Sequence, residues 1–221
     1  MPAILDDPAP LFTQPDGRYR FARWNRPLAP VVFGVDDSTI EGLKVSIAQT
    51  IAITGAHMGE LDPDLGANFM WFFCREWSEL RSVPNLDKLV PNFDALIDTL
   101  TEQGASRYRT FGFDSDGGIQ LCLVMIRVDE ATAAQPLQTL ATAETLQSLL
   151  VWSEGAFTRE SPIARIPQNN MVIVKPEYAA IVRAAYDPIM PVAADDPVHA
   201  LRLGARAGKL LSALDAVDPD A

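Results

Sequence analysis

The sequence predicts an α+β domain, with a mixed sheet of about five strands and helices packed mainly on one face. Three observations carry this. Apolar residues recur at helical spacing in several segments, and strand-length apolar or alternating runs lie between them. Two of those runs flank a tight turn, which implies an antiparallel hairpin. Helices interspersed among strands with a hairpin fit a layered α+β arrangement better than a strict strand–helix–strand series.

Residues 1–17, rich in Pro and Asp, read as a flexible lead-in. Arg18-Tyr19-Arg20-Phe21 alternates with the period of a half-buried strand, and Val31–Val35 reads as a second strand. Asp36, Asp37 and Ser38 offer N-caps for a helix over 38–54, whose stripe is Ile40, Leu43, Ile47 and Ile51. Gly55 suits its C-cap, and residues 57–66 read as a loop. The nearly continuous apolar run 67–74 predicts a strand covered on both faces. A helix over 92–103 places Phe93, Leu96, Ile97 and Leu100 on one side.

Arg107–Phe113 and Ile119–Val128 are strands around the turn Asp114-Ser115-Asp116-Gly117-Gly118. Residues 138–152 form a helix carrying Leu140, Leu146, Leu149 and Leu150. An irregular stretch to Asn170 precedes an extended segment at 171–174 and a helix at 177–185. The last helix, 197–216, turns Leu203, Leu210 and Leu214 inward. Residues 18–216 thus form one domain, followed by an acidic tail at 217–221.

Composition narrows the function. The chain has 221 residues, 48% of them hydrophobic and 21% charged, enough for one sizeable core. A net charge of −11 repels phosphate backbones and anionic lipid, which disfavours nucleic acid and membrane surfaces as partners. No apolar run reaches the roughly 20 residues of a membrane span, and the N-terminal residues have no signal-peptide pattern. The expected compartment is cytoplasmic. Cys74 and Cys122 lie in apolar runs and read as buried thiols.

The chemistry-bearing residues are sparse. There are two histidines, His57 in a Gly-flanked loop and His199 near the start of the last helix. Neither has the one-turn partner spacing of a helical zinc site, so both read as surface or capping residues. The sequence therefore supplies no metal site and calls for no cofactor. Asp62 and Asp64 form an acidic loop able to take a hard cation, or simply exposed carboxylates. Asp114–Gly118 begins like a calcium loop but lacks the later ligands, and a hairpin turn accounts for it. There is no Gly-x-Ser-x-Gly elbow, and Ser153-Glu154-Gly155 reads as helix-end punctuation. Arg18, Arg20, Arg23 and Arg26 are a basic cluster that either meets an anionic ligand or neutralises carboxylates on the helix after Asp36.

Four stretches in common order resemble an uncharacterised bacterial family, a domain of unknown function distantly related to zincin-type metallopeptidases. They are Arg20–Val31, with its Arg23-Trp24 pair leading to Pro30-Val31; Ile53-Thr54-Gly55 followed by Ala67-Asn68-Phe69; Ala143–Leu149; and Arg183–Pro188, with Tyr186-Asp187-Pro188. The resemblance implies a zincin-like fold and places a His-Glu-Glu-x-x-Gln helix at the third stretch. Glu144 and Gln147 match that helix. Thr142 stands where the family has histidine and Ala143 where it has the first glutamate. Threonine does not replace imidazole as a zinc ligand, and alanine is no general base.

The function expected from this combination is a non-enzymatic scaffold or protein-interaction domain with a protein partner. The alternatives are a hydrolase with Glu144, Glu154 and His57 as catalytic candidates, or a small-ligand binder lidded by residues 155–170. Arg18, Arg20, Asp62 and Asp64 are the ligand-binding candidates.

Overall fold

The computed structural model describes residues 3–55, 58–60, 62, 64 and 66–215. The chain opens with a one-turn helix α1 (Ala3–Asp6) and a 3-10 turn at Ala9–Leu11. Strands β1 (Phe21–Ala22) and β2 (Pro30–Phe33) lead to helix α2 (Asp37–Ala52). Strand β3 (Phe69–Cys74) is followed by a 3-10 segment at Trp77–Ser82, then α3 (Leu86–Leu89) and α4 (Phe93–Glu102). The hairpin is β4 (Arg107–Phe113) and β5 (Ile119–Arg127). Then come α5 (Glu130–Ala134), α6 (Leu137–Leu149), β6 (Ile163–Arg165), β7 (Val172–Val174), α7 (Pro176–Ala185), β8 (Ala193–Ala194) and α8 (Val198–Asp215).

The main sheet is mixed, in the order β2-β3-β5-β4. β2 and β5 run parallel to β3, and β4 closes the sheet antiparallel to β5. The α+β class and mixed sheet agree with the sequence. The strand count differs: the main sheet has four. β1 pairs with β8 and β7 with β6, so the chain near the expected strand at 18–21 and the extended segment at 171–174 lies in small sheets apart from the main one.

Alternation along β3 divides the core. Phe69, Trp71 and Phe73 join the larger cluster with Leu43, Ile47, Leu146 and Leu149 of α2 and α6. Phe72 and Cys74 join a second cluster with Trp77, Leu80, Phe93 and Ile97. Helices α2, α6, α7 and α8 lie on one side, so the helices pack mainly on one face as expected. The other side is covered by α4, the helix expected over 92–103, together with α3 and the 3-10 segment at Trp77–Ser82, which the sequence did not announce.

Local chemistry explains several boundaries. The Asp36 carboxylate accepts the Thr39 backbone N–H and so caps α2. The hydroxyls of Ser38 and Thr39 add to that backbone bond and hold the Asp36 carboxyl down at about 2. Asp114 accepts the backbone N–H groups of Asp116 and Gly118, which ties the β4–β5 turn.

The lead-in is a correction. Leu5, Leu11 and Phe12 are buried, and Phe12 stacks on Trp152 at 5.3 Å. Pro and Asp content suggested a loose segment, but these three apolar side chains bury themselves in the core instead. Two glycines mark close approaches. A Cβ at Gly34, whose φ is +88°, would lie 2.0 Å from the Phe73 carbonyl oxygen. One at Gly204 would lie 2.3 Å from the Leu5 carbonyl oxygen. The acidic tail at 217–221 lies outside the described residues.

Candidate functional site

Strand geometry places Arg107, Arg109, Phe111 and Phe113 on one side of β4. That side faces α6, where Glu144 and Gln147 stand one turn apart. Glu144 is 2% exposed. Its Oε1 accepts from Arg107 at 2.9 Å, and its Oε2 accepts from Arg109. Arg107 also donates to the Gln135 side chain, and Arg109 to Gln147 at 3.4 Å. The Arg109 Nε is buried and has no hydrogen-bond partner among the described residues. A buried carboxylate needs a partner charge, and here two guanidiniums share one.

Two hollows border this triad. One, of about 220 Å³, is lined by Arg107, Tyr108, Arg109, Glu144 and Gln147. The other, of about 390 Å³, also includes Arg109 and Gln147, and extends to Phe111, Trp152, Glu154 and Phe157. Its aromatic wall is built by the chain leaving α6. Trp152 donates its indole N–H to the Leu146 carbonyl and packs edge-on to Phe157 at 5.0 Å. The backbone beside these hollows is that of β4, an edge strand with no strand on its far side among the described residues.

The candidates from the sequence scatter. Glu144 and Glu154 border neighbouring hollows. Arg26 lies 3.1 Å from Asp62 and 3.4 Å from Asp64. Asn68 also donates to Asp62, so this acidic pair fastens a loop. Arg18 pairs with Asp16, and Arg20 lies over the Phe113 ring at 4.5 Å. Arg23 reaches the carbonyls of Trp24 and Met190. The basic cluster thus does not neutralise the helix after Asp36; its carboxylate partners are in loops. His57 lies outside the described residues.

His199 corrects the expectation of a surface or capping residue. It is 5% exposed, its ring lies 4.1 Å from that of Phe21, and its Nδ1 is 2.7 Å from the Tyr19 hydroxyl. Burial, with a smaller contribution from the Arg202 charge, pushes it down to about 4. The sign follows. Between that value and the ordinary histidine range the unfolded chain binds a proton that the folded chain refuses. Stability is therefore complete above about pH 6.5 and falls as the pH drops toward 4, by about 2–3 kcal/mol from this group. Urea denaturation at pH 7 and pH 4 should reveal that loss, and His199→Phe should remove it.

Both cysteines are buried free thiols. Burial raises Cys122 to about 12 and Cys74 to about 11, so neither is a thiolate nucleophile at neutral pH. Among the described residues no group of three or more His, Cys, Asp or Glu is placed to hold a metal ion. On the helix that resembles the metallopeptidase helix, Thr142 is buried and Ala143 half-buried. No described helix is long and apolar enough to cross a membrane.

The site residues that sequence reasoning missed are Arg107, Arg109, Phe111, Trp152 and Phe157. The available signal was the alternation of arginine with aromatic residues along one strand. Arg109, on the face that also carries Phe111 and Phe113, is half-buried and requires a carboxylate from elsewhere in the chain. No family profile, curated protein or solved structure matches the chain.

Proposed function

We propose that this chain is a non-enzymatic protein-interaction domain on a zincin-like scaffold, and that it receives an extended segment of a partner protein along β4. One observation carries the reading. A seven-residue edge strand, with no strand on its far side among the described residues, borders a cleft, and the carboxylate of α6 there is already engaged by two arginines. An unpaired strand edge presents a row of N–H and C=O groups that another strand satisfies. Main-chain hydrogen bonds supply affinity in this mode, and alternate side chains entering pockets supply specificity.

Absent chemistry supports the same reading. Thr142 and Ala143 stand at the ligand and base positions that the resemblance implies. Elemental analysis of the purified chain tests this part: substoichiometric zinc is expected. One zinc per chain, lost on His57→Ala or His199→Ala, would overturn it. Hydrolysis of a quenched peptide library that disappears in Glu144→Gln would do the same.

The small-ligand reading has one observation in its favour. The aromatic cleft of about 390 Å³ lies in the size range of ligand pockets. A metabolite that raises the melting temperature in the parent chain but not in Phe157→Ala would select that reading over a peptide.

A further inference from the structure

We infer that the segment received along β4 carries an acidic side chain and, two residues away, an aromatic or large apolar one. This rests on the strand-addition reading above and specifies its partner.

In an added strand, every second side chain would stand on the α6 side, beside Arg107, Arg109 and Phe111. The Arg107–Glu144–Arg109 triad has two positive charges and one negative. The Arg107 side chain keeps 36% of its surface exposed, and the buried Arg109 Nε has no partner among the described residues. In a chain of net charge −11 this is a local positive surplus. A carboxylate is the complementary group, because guanidinium forks bind it through paired hydrogen bonds.

One strand repeat further on, the surroundings change. Phe111, Trp152 and Phe157 form an apolar wall, fitted to a ring. Glu154 lines that same hollow. Its charge repels a second carboxylate there and so favours placing the acid at the arginine end. Like-charge juxtaposition of this kind fixes register. Attraction at Arg107 and repulsion at Glu154 together distinguish the two ends of the groove.

Fluorescein-labelled octapeptides tested by anisotropy against the full chain decide the matter. The probes hold Phe-x-Glu or Glu-x-Phe on one face, covering both strand directions, with threonine elsewhere. Glutamine-for-glutamate and alanine-for-phenylalanine versions complete the set. We expect at least one order to bind, with about tenfold weakening for each replacement, the size of one good charged or apolar contact. Arg107→Gln should abolish the glutamate preference while retaining the phenylalanine preference, and Phe157→Ala should do the converse. Thermal melts of both variants verify folding.

Equal binding of glutamate and glutamine peptides, with β4 amides protected from hydrogen exchange, overturns the inference and leaves strand addition standing. No binding by any peptide and no β4 protection overturns both. A second copy of this chain occupying β4, seen as a dimer by sedimentation with the same amides protected, also overturns the inference.

Discussion

Gly34→Ala is expected to destabilise the chain by about 4 kcal/mol, at the exceptional end for a single substitution. Two costs add. The residue sits at φ +88°, where a Cβ costs about 1–2 kcal/mol by itself. The new methyl would also lie 2.0 Å from the Phe73 carbonyl oxygen, which is backbone and cannot swing aside. Gly34 directly follows β2, whose Phe33 registers with Phe72 of β3. Relieving the clash therefore means prising β2 from β3 just where the chain turns toward the Asp36 cap. Urea denaturation measures the loss. Gly104→Ala is the control: its φ of +60° carries the conformational cost, but nothing lies within 4 Å of the added carbon. It should lose only about 1–2 kcal/mol, so equal losses at the two glycines would refute the steric account.

Glu144→Ala is the second large effect, at about 3 kcal/mol. The carboxylate is buried, and its loss strands the Arg109 guanidinium, whose side chain is 17% exposed, without its charge partner. Removing Arg107 instead leaves the Arg109–Glu144 contact. The Arg107 side chain is 36% exposed, so Arg107→Gln should cost under about 1 kcal/mol. The asymmetry is the useful part. A catalytic glutamate would show its importance in turnover, whereas this one should show it in chemical denaturation. A double-mutant cycle across Glu144 and Arg109 would measure the coupling.

The sequence was informative where one short segment contains its own signal. Asp36 with Thr39 is a local cap, the Asp114–Gly118 turn is local, and α4 shows one apolar face. It was misleading where the partner is distant. Helix α6 buries Thr142, Glu144, Thr145 and Ser148 along with its leucines. A stripe analysis sees only the leucines, because it assumes a helix with a wet side. The partners of Glu144 lie 37 and 35 residues away on β4, and no periodicity encodes that meeting. The same holds for His199, placed against Tyr19 by the return of α8 across the chain's beginning. The 3-10 segment at Trp77–Ser82 escaped notice because three residues per turn give too short a run for a pattern.

The contact between Leu5 and Gly204 has a consequence for biosynthesis. Almost the whole described chain separates these residues, yet the carbonyl of one rests where the other has no side chain. Leu5, Leu11 and Phe12 are synthesised well before α8 and belong to the same core cluster as Ala200, Leu203 and Ala207. At translation speeds of about 5–20 residues per second, those early side chains wait on the order of ten seconds or more for α8. Phe12 finds Tyr19, Phe21 and Trp152 earlier, but until α8 arrives the surface of α1 that packs on it lacks its native cover. A nascent chain stalled shortly before residue 198 would therefore display that surface to chaperones.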